Sequence, residues 1–191
     1  MELYIFENYK TLFPELKGRQ LTDRLIMKAL AEHGTPADTV HRTEKGRPYT
    51  DEDVFFSVSH SGDYFVCLIS DRPAGVDIQT ERRADMTAIC RRYFTPEECM
   101  YVDRAGSAGF FLLWTRKEAY CKYTGRGLEE ILKGTSVLDR DDVEFFDFQL
   151  EKGLYCSCCR EKYNRNGYLR RNREYQTEEK DIRQLSSFQF W

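Results

Sequence analysis

The chain has 191 residues, in which 29 Lys and Arg face 32 Asp and Glu, and hydrophobic residues make up 41%. This length suits one large domain or two small ones that share a core, and the near-neutral charge argues against binding nucleic acid through bulk positive charge. No run approaches the ~18 consecutive apolar residues of a membrane-spanning helix. The first residues lack the basic and long apolar regions of a secretion signal, so we expect a cytoplasmic protein with no membrane partner.

Seven cysteines, an odd number, predict free thiols in a reducing compartment. Three of them cluster at Cys156, Cys158 and Cys159. No second Cys or His pair follows at the spacing of zinc ligands, so we interpret the cluster as buried thiols in a strand rather than a metal site.

The first half predicts one amphipathic helix and several short strands. Apolar residues recur at helical spacing over 21–30, and Gly34 follows as a typical helix end. We predict a small antiparallel meander beside this helix, with a turn at 59–63. The predicted strands are 3–6, 54–58, 64–69 and 75–79.

The second half opens with Thr95-Pro-Glu-Glu98, a capping box with Thr as N-cap, Pro at N1 and Glu at N3. The remaining pattern predicts two helices, two strands and a basic surface stretch with six Lys or Arg and one Glu. These are a helix at 96–104, a helix at 110–124 that stops at Gly125, strands at 143–150 and 153–159, and the basic stretch at 160–173.

The helix at 110–124 holds the first candidate site residues. Trp114, Glu118 and Lys122 follow at i, i+4 and i+8 and lie on one face. Glu118 and Lys122 could form an ordinary helix ion pair worth ~0.3–0.5 kcal/mol. The helix is also crowded with aromatic bulk, and desolvated charges usually have a ligand or a role.

Asp77 lies between two apolar residues of a short strand, so alternation turns it to the opposite face. It could be a plain exposed aspartate. An Asp at a strand end and a Glu on a helix also commonly hold Mg²⁺, and Gln79, on the same face, could add a neutral oxygen.

His60, in the predicted turn between two strands, could be structural or solvated. The absence of a Gly-x-Ser-x-Gly sequence disfavours a serine triad beside it. Gly125-Arg-Gly127 follows a helix instead of opening one, so it predicts a helix stop and not a dinucleotide site.

Taken in order, these motifs resemble those of the 4′-phosphopantetheinyl transferases, of the type that activates surfactin synthetase. The resemblance covers about residues 15–130 and includes the segment 92–98 ahead of the Trp-Lys-Glu helix. The motifs are Gly46-Arg47-Pro48, Phe56-Ser-Val-Ser59-His60-Ser61-Gly62, Gly75-Val-Asp77-Ile-Gln79 and Trp114-Thr-Arg-Lys117-Glu118-Ala-Tyr-Cys-Lys122 with Gly125-Arg-Gly127-Leu128.

The resemblance implies transfer of the phosphopantetheine arm from coenzyme A to a serine of an apo acyl or peptidyl carrier protein, with release of adenosine 3′,5′-bisphosphate. Asp77 and Glu118 would hold Mg²⁺, with Glu118 also the base for the serine and Lys122 neutralising phosphate charge. Gln79 stands where relatives often carry Glu, and an amide is the weaker Mg²⁺ ligand. The residues implied to bind coenzyme A are Lys28, Arg47, Ser59, His60 and Lys122.

The implied fold is α+β, with two similar pseudo-symmetric subdomains, each a small antiparallel sheet packed with helix, and a ligand cleft between them. We place the subdomains at 1–94 and 95–191. A monomer would suffice, since one chain supplies both sides of the site, and the carrier protein would dock transiently.

Two other classes of function stay open. A Mg²⁺-dependent phosphohydrolase could use Asp77 and Glu118 with water as the nucleophile, although two-metal hydrolases usually show further carboxylates. A non-enzymatic module could bind carrier proteins or nucleic acid through aromatic surface and the stretch 160–173, and nucleic-acid binding would then be salt-sensitive.

Overall fold

The computed structural model describes residues 1–126 and 134–162. Gly127, Leu128 and the basic stretch beyond residue 162 lie outside the described residues. The elements are β1 (Glu2–Glu7), α1 (Tyr9–Leu12), α2 (Arg19–His33), β2 (His41–Arg42), β3 (Pro48–Tyr49), β4 (Phe55–Ser61), β5 (Tyr64–Ser70), β6 (Ala74–Thr80), α3 (Met86–Tyr93), α4 (Pro96–Thr124), β7 (Val143–Glu151) and β8 (Leu154–Glu161). The predicted α+β class is confirmed.

Helix α2 packs its predicted apolar face on the first sheet, which has the antiparallel order β1-β5-β4. Leu25, Ile26 and Leu30 are fully buried and share a core cluster with Phe65 of β5. Gly34 ends the helix in the left-handed conformation, with φ of 92°, and its N–H bonds back to the last turn. The sequence pattern therefore predicted this half of the core correctly.

Two details of the predicted meander are wrong. The turn is only Gly62 and Asp63, because β4 extends through Ser61, so Ser59 and His60 lie on a strand. Strand β6 does not continue the first sheet through backbone pairing; it pairs antiparallel with β8 in a second sheet of order β6-β8-β7. Strand partners depend on distant parts of the chain, so local alternation could not predict this one.

Alternate serines of β4 connect the two sheets by side-chain hydrogen bonds. The Ser57 hydroxyl accepts from the Val76 N–H at 3.1 Å, and the Ser61 hydroxyl accepts from the Thr80 N–H at 2.9 Å. Between them, Ser59 donates to the Asp77 carboxylate at 2.7 Å. We call Ser57, Ser59 and Ser61 the serine row. These contacts advance together along both strands, so β4 and β6 run in the same direction.

Helix α4 consists of two arms that fold back at Gly106, where φ is 66° and ψ is −149°. Glu98 and Lys117 are 19 positions apart, which is about 28 Å along a straight helix. Their side chains nevertheless meet at 2.8 Å, so the two arms must turn toward each other. The predicted helices at 96–104 and 110–124 correspond to these arms, and the capping box at Thr95 is confirmed.

The prediction that the cysteine cluster lies buried in a strand is confirmed. All seven cysteines are free thiols, and Cys156, Cys158 and Cys159 are buried in β8. Burial raises the pKa of Cys159, as expected of an inert thiol. Within residues 1–126 and 134–162, no group of three or more His, Cys, Asp or Glu could hold a metal ion. No helix in these ranges is both long and apolar enough to cross a membrane.

Candidate active site

Gly75 allows β6 to approach the backbone of α4. A Cβ atom on Gly75 would lie 2.0 Å from the Ala119 carbonyl oxygen and 2.5 Å from the Tyr123 N–H nitrogen. No side chain fits in that space. Since side chains alternate along a strand, the same face of β6 presents Asp77 and Gln79 toward the helix. The close approach therefore brings Asp77 to the turns of α4 that bear the predicted catalytic residues.

Asp77 is buried, with 5% of its surface exposed, so its interpretation as a plain surface aspartate is wrong. Its Oδ1 atom accepts from the Ser59 hydroxyl at 2.7 Å and from the Lys122 ammonium at 2.8 Å. Its Oδ2 atom is buried and has no hydrogen-bond partner among the described residues. A buried carboxylate oxygen without a partner is costly, which points to a ligand that is bound in the working protein.

Lys122 pairs across to β6 rather than along α4, so the ordinary helix ion pair is not its interaction. Besides Asp77, its ammonium donates to the Val58 carbonyl oxygen at 3.2 Å. An ammonium has three N–H donors, and these contacts use two of them. The lysine thus ties β4, β6 and α4 together and keeps one donor for a ligand.

Glu118 is a desolvated acid beside a second carboxylate. Burial and, to a lesser extent, the negative charge of Asp77 together raise the pKa of Glu118 to about 7, while Lys122 opposes the shift. A carboxyl group with a pKa near neutrality can exchange a proton with a substrate at cellular pH. Two neighbouring carboxylates in a desolvated site also favour a bound cation.

The oxygens here fit a hard divalent cation such as Mg²⁺. Asp77 supplies an unpartnered buried oxygen, and Glu118 supplies a carboxylate that a cation would relieve of desolvation and repulsion. Gln79 is half-buried two positions along β6 and offers an amide oxygen. Such a set leaves positions for water and phosphate oxygens, as Mg²⁺ sites usually do.

Of the residues predicted to bind coenzyme A, Ser59 and Lys122 contact Asp77, and the other three lie elsewhere on the fold. Arg47 lies between β2 and β3, and its Nη1 would be 3.3 Å from a Cβ atom on Gly125, at the end of α4. His60 is exposed on β4, next to Ser59, with its ring 6.0 Å from that of Tyr9. Lys28, on α2, forms an ion pair with Glu32 at 2.5 Å. Arg47 thus reaches the helix that bears Glu118, whereas Lys28 pairs with a residue of its own helix, α2.

A buried ion pair supports α4, the helix that bears Glu118 and Lys122, and the sequence alone assigned this pair no role. Lys117 and Glu98 are both fully buried, and Lys117 also donates to the Thr135 carbonyl at 2.7 Å. Glu98 accepts from the N–H groups of Thr95 and Val137, each at 2.8 Å. The burial of Lys117 could have been predicted from the sequence, because Lys117 shares a helix face with apolar Leu113. The capping box alone accounted for Glu98, so its contact with Lys117 was not predicted.

A second buried polar chain joins α4 to the second sheet. The Thr115 hydroxyl lies 2.9 Å from the Ser157 hydroxyl, which donates to Asp147 at 2.8 Å. Arg116 donates to both carboxylate oxygens of Asp147, from Nε to Oδ1 at 3.1 Å and from Nη2 to Oδ2 at 2.6 Å. The register pairs Ser157 with Asp77 on one side and with Asp147 on the other, so this chain lies on the same face of the second sheet as Asp77 and ties α4 to β8 and β7.

Comparison with known proteins gives consistent matches. Residues 73–177 match the family model described as the 4′-phosphopantetheinyl transferase superfamily. The chain is 27% identical over 172 residues to the 4′-phosphopantetheinyl transferase gsp of Aneurinibacillus migulanus, covering 81% of this chain and 71% of that protein. It is 35% identical over 107 residues to a 4′-phosphopantetheinyl transferase of Bacillus subtilis, covering 52% of this chain and 46% of that one.

A third relative is the 4′-phosphopantetheinyl transferase psf-1 of Bacillus pumilus, which is 40% identical over 79 residues. That match covers 38% of this chain and 33% of the relative. The alignments therefore span less than half the length of two of these three relatives, while the family model takes in β6, both arms of α4 and the second sheet.

Proposed function

Because this chain belongs to the 4′-phosphopantetheinyl transferase superfamily and is a transferase, we propose that it moves the 4′-phosphopantetheine arm of coenzyme A to a serine of an apo carrier protein. Adenosine 3′,5′-bisphosphate is the second product. The observation that carries this proposal is the meeting of Asp77, Glu118 and Lys122, with Asp77 Oδ2 buried and unpartnered.

Asp77 and Glu118 would hold Mg²⁺, with Gln79 as a weaker third ligand. When bound, the metal neutralises charge on the coenzyme A pyrophosphate. The protein's own contribution is to keep two carboxylates desolvated and aimed at one place, which β6 and α4 do through the contact at Gly75. We expect EDTA to abolish transfer.

Glu118 is the proposed base. The carrier serine attacks the phosphorus that bears the pantetheine arm, the bond to adenosine bisphosphate breaks, and the serine proton passes to Glu118, directly or through water. The pKa of Glu118 is raised to about 7 in the metal-free protein, and a bound cation would lower it, so the group would be ionised and able to accept a proton near neutral pH. Lys122 contributes its third N–H donor to the phosphate charge that develops in the transition state.

The remaining proposed contacts bind and align coenzyme A. Arg47 and His60 bind its phosphates, including the 3′-phosphate, and Lys28 reaches the nucleotide. The sequence motif also implies a hydrogen bond from Ser59 to coenzyme A. The cleft for this ligand lies between the proposed subdomains 1–94 and 95–191, although β6 of the first pairs with β8 of the second. The chain acts as a cytoplasmic monomer on acyl or peptidyl carriers that dock transiently.

Intact-mass spectrometry of an apo carrier protein tests the proposal. Incubation with this chain, coenzyme A and Mg²⁺ should add one phosphopantetheine mass to the carrier, and EDTA should prevent the gain. Asp77→Ala and Glu118→Ala should each lose transfer by about two orders of magnitude or more. Asp71→Ala, in an exposed turn, is the matched carboxylate control. No gain on acyl or peptidyl carriers, together with no binding of coenzyme A, would overturn the proposal.

A further inference from the structure

We propose that Ser59 is a positioning residue for Asp77 and not a ligand of coenzyme A. Its hydroxyl donates to Asp77 Oδ1, and in doing so it helps to leave Oδ2 free for the metal. This inference rests on the proposed function for the identity of the metal, and it replaces the role that the sequence motif implied for Ser59.

The donor count of Ser59 supports this role. A serine hydroxyl has one proton to donate, and here it goes to a carboxylate at 2.7 Å. The side chain is 9% exposed and shares the face of β4 that contacts β6. A charge-assisted hydrogen bond of this length is among the stronger ones in proteins, so coenzyme A would have to compete with Asp77 for the proton.

The carboxylate of Asp77 needs such a partner to keep one orientation. Rotation about the last bond of an aspartate side chain is soft, so contacts rather than torsional preference orient its two oxygens. Ser59 and Lys122 approach the same oxygen from β4 and α4. With both donors on Oδ1, Oδ2 is left over. Without Ser59, Lys122 alone can follow either oxygen as the carboxylate rotates.

The serine row contains its own control. Ser57 lies on the same face of β4, is similarly buried, and also bonds to β6, but its partner is the backbone N–H of Val76. Ser57→Ala removes a link between the strands without touching the carboxylate. Ser59→Ala also removes a hydrogen bond between β4 and β6, and in addition it lets the Asp77 carboxylate rotate. The two variants therefore separate positioning of Asp77 from simple loss of contact between β4 and β6.

Three measurements on the full chain form the test. Mn²⁺ binding is followed by the loss of the free-ion electron paramagnetic resonance signal, with coenzyme A present. Coenzyme A binding is measured separately by calorimetry in EDTA. Ser59→Ala should weaken Mn²⁺ binding about tenfold, as loss of a group that orients a metal ligand usually does, and should leave coenzyme A binding in EDTA unchanged. Ser57→Ala should change neither, and Ser59→Thr should restore Mn²⁺ binding at least in part.

Several outcomes would overturn the inference. Weaker coenzyme A binding in EDTA with normal Mn²⁺ affinity would make Ser59 a coenzyme A ligand. An equal loss of Mn²⁺ affinity in Ser57→Ala would show that the effect comes from lost contact between β4 and β6. A wild-type protein that binds no Mn²⁺ would show that Asp77 is not a metal ligand for Ser59 to position. The mass assay for transfer judges the proposed function independently, because it can succeed while Ser59→Ala behaves like Ser57→Ala.

Discussion

Folding moves the carboxyl group of Glu118 into a desolvated position, so its titration should appear in the pH dependence of stability. Burial, aided by Asp77, raises its pKa from 4.5 to about 7. The folded protein then binds this proton more tightly than the unfolded chain does. The resulting stability is fully present below pH 4.5 and is lost as the pH rises through 7.

Glu118→Gln should remove this loss of stability at rising pH, because the amide does not ionise. In EDTA, the free energy of unfolding of the wild type should fall relative to Glu118→Gln between pH 4.5 and pH 8, by on the order of 1–3 kcal/mol. Urea unfolding at both pH values measures the difference. Glu15→Gln, at an exposed glutamate, should keep the wild-type pH dependence. Parallel curves for Glu118→Gln and the wild type would show that Glu118 is not desolvated.

Arg47 should contribute to binding more than to chemistry. Its guanidinium lies beside Gly125, at the end of the arm that bears Lys122, and is therefore suited to a phosphate of bound coenzyme A. We expect Arg47→Ala to raise KM for coenzyme A about tenfold or more and to leave kcat nearly unchanged, the pattern of a lost ground-state contact. Steady-state kinetics of arm transfer measures both values. A fall in kcat at unchanged KM would instead place Arg47 in the transition state.

At the residue scale, the sequence predicted the face of a strand on which a side chain lies better than the contacts that the side chain makes. Alternation put Asp77 on the correct face of its strand, because that depends on neighbouring residues alone. Its burial depends on the approach of α4 at Gly75, which is a long-range contact. The partner of Ser59 was unpredictable for the same reason, since it required knowing that β4 and β6 lie side by side.

Among the elements, the contact between β6 and α4 has the least room for change. Gly75→Ala would place a methyl group 2.0 Å from the Ala119 carbonyl, and backbone cannot move aside as a side chain can. We expect a loss of stability of at least about 1–3 kcal/mol. The rate of transfer should fall even under conditions in which the variant is still folded, since Asp77 would move away from Glu118. Urea unfolding and the mass assay measure the two effects.

Gly18→Ala is the control for this substitution. Gly18 has φ of 55° and no atom within 4 Å of an added Cβ, so Ala there has backbone strain but no clash. It should cost about 1 kcal/mol and leave transfer intact. Normal transfer by Gly75→Ala would contradict the view that this close approach assembles the site.

The ion pair between Lys117 and Glu98 holds the two arms of α4 together. Lys117→Met should destabilise the protein by about 3–5 kcal/mol, because it leaves Glu98 charged and buried. Adding Glu98→Gln should recover part of the loss. Lys28→Met, at an exposed ion pair with Glu32, should cost less than about 1 kcal/mol. Equal losses in the buried and exposed pairs would mean that Lys117 does not join the arms.

Local chemistry explains which elements the sequence predicted well. The capping box at Thr95 and the stops at Gly34 and Gly125 are signals within one turn of chain, and all three were correct. The gap between the predicted helices at 96–104 and 110–124 also contains Gly106, where the two arms of α4 meet. The strand partner of β6 was not predicted. In a meander the backbone of β4 would pair with β6, but here β4 contacts β6 through serine hydroxyl groups.

On the scale of the whole molecule, one core cluster crosses the proposed division at residue 94. Val66 and Leu68 of β5, Val76 and Ile78 of β6, and Cys156 and Cys158 of β8 pack together, all essentially buried. Strand β6 completes the second sheet although it comes from the first half of the chain. A fragment 1–94 would expose this cluster and the unpaired edge of β6, so neither half has a complete core of its own.

We therefore expect one cooperative unfolding transition. In a Trp191→Phe variant, the fluorescence of Trp114 reports on α4, while far-ultraviolet circular dichroism reports on all helices and strands. The two urea curves should coincide in midpoint and slope, because breaking the sheet of β6, β7 and β8 removes the support of both halves. Two separated transitions, or a fragment 1–94 that folds alone, would show that the halves are independent. The site would then depend on how they dock, since Asp77 and Glu118 come from opposite sides of the division.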